Sequence, residues 1–177
     1  VLTPNNANAN RINQARLAGL KTKEKVFSAE VQGQFEEKAF PTEADLVLKE
    51  GARVMLIRND PEGRWVNGSL AIVEGFSGKG VIVSIDGRAY EIEPSAWEKY
   101  RYDLEPETKK VKREVVGTFK QMPLRLAYAV TIHKAQGMTV DRTHVLATPG
   151  MDSHSAYVAM SRHRDGLALH YGSDDFA

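Results

Sequence analysis

The 177 residues contain no cysteine, which removes disulfides and thiolate metal sites and fits a reducing cytoplasm. No apolar run approaches the roughly 20 residues of a membrane-spanning helix, and no signal-peptide pattern opens the chain. Charge of one sign is also lacking: 24 Lys and Arg stand against 23 Asp and Glu, so the overall balance says little about partners. The five histidines form no H-x-x-x-H pair, so no metal site is expected. No G-x-S-x-G elbow is present, which leaves a hydrolase of that type unsupported. The run GFSGKG at Gly75 to Gly80 invites a phosphate-loop reading, but Val81 stands where Ser or Thr is required. It also lies between two predicted strands rather than before a helix, which makes it a hairpin loop. No acidic pair closes an apolar strand to hold magnesium. By itself, then, the chain lacks both halves of a nucleoside-triphosphate site.

What is present is a 42% hydrophobic content, enough for a packed core, and an uneven distribution of charge. Lys99 to Arg142 holds ten Lys/Arg and five Asp/Glu, a local excess of +5 that leaves −4 for the remainder. A basic segment on a near-neutral chain is a candidate nucleic-acid face, or else a solvated pair of charged strands. The abrupt VLTP opening suggests a piece of something longer.

The chain opens with a short strand, VLT, broken by Pro4. A helix follows over residues 7–20, with Asn5 or Asn6 as cap and a stripe of Ala9, Ile12, Leu17 and Leu20. Alternation from Lys25 to Val31 predicts a half-buried strand. From Pro41 the character changes. ADLVL, ARVMLIR, SLAIVEGF, VIVSI and RAYEIE are short β-type runs, with Asn67-Gly68 and Asp86-Gly87 as tight-hairpin signals. They predict a small antiparallel barrel. Residues 94–110 read as a polar connector in which Trp97, Tyr100 and Tyr102, beside Lys99 and Arg101, either stack bases or pack the domain edge. Lys110 to Lys120 is a return strand. Pro123 marks re-entry into an α/β part with strands at Thr143 to Ala147 and Leu167 to Tyr171 around a helix at Ser155 to Ser161. The division is 1–40 and 122–177 for the α/β part, with 41–121 inserted.

Two stretches carry the chemistry. In LAYAVTIHKAQG, Leu126 to Ile132 reads as a buried strand that runs into Thr131, His133, Lys134, Gln136 and Gly137. A buried strand ending in donors and a glycine is where an α/β sheet keeps its ligand site. In AYVAMSRHR, a short apolar turn ends in Arg162 and Arg164, which suggests an anion partner. The bland alternative is a core strand and helix with incidental surface polar groups.

TIHKAQG resembles motif V, and YVAMSRHR motif VI, of superfamily 1 helicases, in the RecD-like and Pif-type branch. LTPNNANANRIN resembles the first strand and helix of that family's second motor domain. GARVMLIRNDPEGRWVNGSLAIVEGF resembles the Src-homology-type barrel inserted in it. The tail SRHRDGLALHYGSDDFA resembles the helicase part of conjugative relaxases of the Ti-plasmid type. The resemblance implies an α/β, RecA-like second motor domain with an inserted small antiparallel β-barrel, part of an ATP-dependent DNA helicase moving 5′ to 3′ on single-stranded DNA in repair or conjugation. It implies that Thr131, His133 and Lys134 meet the DNA strand and that Gln136 and Gly137 link this contact to nucleotide. It also implies that Arg162 reaches the γ-phosphate and that Arg164 binds nucleotide or braces the helix. ATP and Mg2+ would be held mainly by the first motor domain, the partner this chain lacks, so the chain alone should not hydrolyse ATP. Met160 departs from the usual Leu, and His163 adds a basic group between the arginines. The rivals are a non-catalytic nucleic-acid-binding module and a secretion-signal domain that keeps a helicase-derived fold in a conjugative relaxase.

Overall fold

The computed structural model describes residues 1–78, 80–104 and 111–173. In chain order the elements are β1 (Leu2–Thr3), α1 (Asn6–Ala18), β2 (Glu24–Ser28), β3 (Glu30–Gly33), a 3-10 turn (Glu37–Ala39), β4 (Asp45–Lys49), β5 (Arg53–Leu56), β6 (Leu70–Phe76) and β7 (Val81–Ile85). Next come β8 (Arg88–Ile92), β9 (Ser95–Leu104), β10 (Val111–Gln121), β11 (Leu124–Leu126), β12 (Val130–Thr131), β13 (Val140–Leu146), α2 (Ser153–Met160) and β14 (His163–His170). They divide into two compact units, one of residues 1–21 and 126–177, the other of residues 22–125.

The first unit is an all-parallel sheet in the order β12-β1-β13-β14. Parallel neighbours cannot be joined by tight hairpins, so every connection is a crossover. Its core gathers Leu2, Ile132, Ala135, Val145, Val158 and Ala159. Asn5 caps α1, its side chain accepting from Asn8 N at 2.9 Å. The buried stripe of α1 is Ala9, Asn13 and Leu17, at i, i+4 and i+8. Asn13 donates from Nδ2 to Ala129 O at 2.9 Å and accepts at Oδ1 from Ala129 N at 2.8 Å. Leu126 to Ile132 is not one strand: Ala129 bonds Asn13 through both its N–H and its carbonyl, Tyr128 O accepts from the Val1 amine, and the run splits into β11 and β12.

In the second unit the pairs β2–β4, β3–β10, β9–β10, β5–β6, β6–β7 and β7–β8 are antiparallel. The sheets run β11-β5-β6-β7-β8, β3-β10-β9 and β2-β4. Leu46, Leu48, Val54, Leu56, Val81 and Val83 are fully buried. The unit begins at Thr22, not Pro41, because β2 pairs with β4 over five positions and β3 pairs with β10, which ties residues 24–33 to the strands after Pro41. The expected strand at Lys25 to Val31 breaks at Ala29, whose N–H turns to Ala44 O at 2.7 Å. The supposed connector at 94–110 is strand β9 as far as Leu104, paired with β10 over ten positions; the rest of that stretch lies outside the described residues. Trp97 packs its own unit, 6.0 Å from Phe119 with the Arg58 guanidinium over its ring.

Asp86 and Gly87 join β7 to β8 as a two-residue hairpin with φ of 49° and 78°, the signature of a type I′ turn. Asn67-Gly68 is a turn as well, with Gly68 at φ 98° and Ser69 N donating to Val66 O. It does not join two strands, however. Asp60 accepts from the N–H groups of Glu62 and Arg64 and from the Arg64 guanidinium, and this holds residues 57–69 as a folded loop. GFSGKG lies at the β6–β7 hairpin, where Gly80 N donates to Ser77 Oγ at 2.7 Å.

Candidate nucleic-acid and nucleotide site

Four parallel strands share one edge at their C-terminal ends and another at their N-terminal ends. The segment from Ile132 to Thr139 must therefore travel from the C-terminal end of β12 to the N-terminal start of β13. Successive turns carry it: Ala135 N donates to Thr131 O at 3.0 Å and Met138 N to Ala135 O at 3.0 Å. Gly137, at φ 81°, supplies the left-handed residue that the final reversal needs. Ala135 is 1% exposed and Ile132 2%, so the loop is pinned into the core by its apolar members while its polar members face out.

Of the residues singled out from the sequence, His133, Lys134, Gln136 and Gly137 are exposed, whereas Thr131 is buried at 6%. Thr131 is aligned with Thr3 of β1, and Ile132 N donates to Thr3 O at 2.9 Å. Thr131 therefore stands at the root of the loop rather than on its surface. Lys134 Nζ donates to Asn6 Oδ1 at 3.2 Å, which brings the early part of the loop to the start of α1. At the other end of the crossover, Val140 N donates to Arg162 O at 2.9 Å. One segment thus joins the neighbourhood of His133 and Lys134 to that of Arg162.

Arg162 lies just past the end of α2. That helix starts because Asp152 accepts from Ser155 N at 2.8 Å and from Ser155 Oγ at 2.9 Å, and these bonds hold the Asp152 carboxyl below its ordinary value. Val158 and Ala159 bury its inner face against the core. Its last carbonyls are capped by side chains. Ser161 Oγ donates to Val158 O at 3.1 Å, Arg162 Nε donates to the same oxygen at 3.0 Å, and His163 Nδ1 donates to Met160 O at 2.7 Å. Arg162 Nη2 also donates to Ser161 Oγ at 3.0 Å. Two of its five N–H groups are thus committed, and among the described residues it forms no ion pair, with Asp165 or any other carboxylate. Fixed by one edge of its fork, the guanidinium keeps donors for an anion. Arg164 lies on β14, exposed, with Nη1 3.6 Å from Asp141 Oδ1, a pairing that solvent leaves weak.

Sequence reasoning missed Asn13, although its i, i+4 spacing from Ala9 and Leu17 carried the signal. It also missed His144 and His170, whose rings stack across β13 and β14 with Nδ1 and Nε2 2.9 Å apart. Strand register brings that pair together, and nothing in their spacing announces it. Among the described residues no three His, Asp or Glu side chains converge as a metal site.

The chain matches the family of the viral superfamily 1 RNA helicase core domain over residues 82–170, half of its length. It is 33% identical over 175 residues to the ATP-dependent DNA helicase Pif1 of Bdellovibrio bacteriovorus, covering 96% of this chain and 38% of that one. A shorter stretch of 50 residues is 60% identical to the conjugal transfer protein TraA of Agrobacterium fabrum, 28% of this chain and 4% of the relative. In three dimensions it resembles the Pif1 helicase from Bacteroides in complex with ADP-AlF3 and ssDNA. The TM-score is 0.80 at 29% identity, over 99% of this chain and 40% of that one. The chain thus spans about two fifths of the length of these two Pif1 proteins. The two motif-bearing stretches, the parallel sheet beneath them and these likenesses agree: the chain belongs to the superfamily 1 helicase core-domain family, in its Pif-type branch.

Proposed function

We propose that this chain is the second, RecA-like motor domain of an ATP-dependent DNA helicase that converts ATP hydrolysis into 5′ to 3′ movement along single-stranded DNA in the cytoplasm. The observation that carries the proposal is the crossover from Thr131 to Val140, which joins an exposed donor cluster at one end to Arg162 at the other. An imidazole and an ammonium suit phosphates and sugars, so His133 and Lys134 take the DNA strand, with Thr131 setting the root of their loop. Gln136 and Gly137 lie between that contact and the nucleotide. The first motor domain holds ATP and Mg2+, and ATP supplies the phosphoryl group whose loss drives the cycle. Arg162 fits that partner, since it is anchored and keeps unused donors. It meets the γ-phosphate, with Arg164 further out. A loop that is packed at Ala135 and exposed on either side is suited to pass a change at one end to the other. The second unit is read as the inserted barrel of Src-homology type, supported by its run of short antiparallel strands β5 to β8. The likeness to TraA favours conjugative transfer as the setting.

The test uses the full-length protein and the 177-residue chain in parallel. The former hydrolyses ATP when single-stranded DNA is added and unwinds duplexes with 5′ tails in preference to 3′ tails. The latter, with no phosphate loop, releases no phosphate above background. Turnover by the short chain that survives repurification would reject the half-site reading, and preference for 3′ tails would reject the direction.

A further inference from the structure

β9 and β10 change character at a bulge between Val115 and Gly117. On one side of it, Gly117, Phe119 and Gln121 face Lys99, Trp97 and Ser95, and Phe119 is fully buried. On the other side, residues 111–114 of β10 are exposed and Val115 is 47% exposed. Register sorts this outer ribbon into two faces. One face carries Arg101 opposite Glu114, with Asp103 alongside, and Arg101 bonds both carboxylates at 2.9 and 3.1 Å. The opposite face carries Tyr100 and Tyr102, with Arg113 directly across from Tyr102 and Val115 across from Tyr100. Arg113 lays its guanidinium 3.3 Å over the Tyr100 ring, and Tyr102 is 63% exposed, 6.5 Å from Tyr100.

We propose that this outer ribbon is a second single-stranded nucleic-acid contact, in which Tyr102 stacks a base and Arg113 takes the neighbouring phosphate. Charge decides for nucleic acid over a protein partner. Among the described residues beyond the bulge, the carboxylates of Asp103 and Glu114 both bond Arg101, and Glu98 before it accepts from the Tyr100 hydroxyl, while Lys112 and Arg113 form no ion pair. An open aromatic ring beside a cation that has no carboxylate partner among the described residues meets a base and its phosphate together. The cover of Arg113 over Tyr100 leaves Tyr102 as the ring open to an incoming base. The site lies in the unit that carries neither helicase motif, so it adds a contact to the one made by His133 and Lys134. It rests on the reading of the chain as part of a DNA motor.

The experiment measures binding of labelled oligo-dT, and of an abasic strand of equal length, to the 177-residue chain by anisotropy. Tyr102→Ala should weaken dT binding about 5- to 150-fold, the range that base–aromatic stacking spans, and weaken abasic binding far less. Tyr102→Trp should retain affinity, with its added emission quenched by dT and not by the abasic strand. His133→Ala with Lys134→Ala is run beside them. If that pair loses binding while Tyr102→Ala binds as wild type, the ribbon contact is overturned and the motor reading stands. If Tyr102→Ala loses binding while the pair does not, the ribbon is supported and the crossover contact fails. Equal losses on dT and abasic strands with Tyr102→Ala, or no binding by the wild-type chain, would overturn the stacking contact.

Discussion

The two units solve the problem of connecting strands in opposite ways. In the parallel unit each strand must be reached by a crossover, and the crossover from Thr131 to Val140 is where the exposed donors sit. In the antiparallel unit neighbours such as β7 and β8 close within two residues, so little chain is left to carry a site at their turn. What the second unit offers instead is length: β9 and β10 run on past their core. Exposed donor groups therefore lie in a connection of one unit and along an extended strand pair in the other.

That contrast can be broken in four ways. The largest effect is expected from Arg162→Ala in the full-length protein. If the guanidinium stabilises charge in the transition state, kcat should fall by roughly 10³ to 10⁵, as for arginine fingers in phosphoryl transfer, with nucleotide affinity much less changed. Arg162→Lys should rescue poorly, because a point charge lacks the fork. DNA-stimulated ATPase kinetics decide it, and near-normal kcat for the alanine variant rejects the assignment.

Gly33→Ala strikes the other unit. Gly33 sits at φ 65°, and a Cβ there would lie 2.4 Å from Val116 O. Left-handed strain plus the clash should cost about 2–4 kcal/mol. Hydrogen exchange should show the loss in residues 22–125 and not in the parallel unit; protection unchanged in both would mean that the strands separate freely. Asn13→Ala is the matching change in the parallel unit. It leaves the buried N–H of Ala129 without its partner, and about 1–3 kcal/mol should be lost, read as faster exchange at residues 126–131. An unaltered melting curve would mean that water replaces the amide.

The smallest effect concerns Asp60, whose carboxyl is drawn from 3.8 to about 2, chiefly by the Arg64 guanidinium. Its folded value lies below its unfolded one, so its contribution is complete above about 4 and disappears as pH falls through about 2. Asp60→Asn should be slightly less stable than wild type at neutral pH, and the gap should close over that acid window. A gap that is independent of pH would point to lost shape rather than lost charge.

Much of this was legible in the sequence wherever a residue type admits few conformations. Asp86-Gly87 foretold its turn because both positions need positive φ. The Asn5 cap and the strands β4 to β8 followed from side-chain chemistry and alternation. β9 was not legible, because its outer half is polar or aromatic on both faces and owes its place to backbone pairing with β10. Leu126 to Ile132 looked like a single strand because its composition cannot announce that an asparagine more than a hundred residues earlier captures Ala129. At the candidate site the residues could be named, but their surroundings could not. Burial of Thr131 follows from register with Thr3, and the anchoring of Arg162 follows from where α2 ends.

The bulge beside Gly117 sets a rule for how the ribbon can vary over evolution. Beyond it, no residue of β10 is buried, so length there is released from packing. Parity is not, since each residue added or removed turns all later side chains to the other face. Matched insertions or deletions of two residues per strand would keep Tyr102 and Arg113 on one face and the Arg101 pairs on the other. A loss of one residue per strand between the bulge and Tyr102 would exchange the two faces while every hydrogen bond of the ladder could re-form. Relatives with longer or shorter ribbons should therefore differ by even numbers of residues per strand.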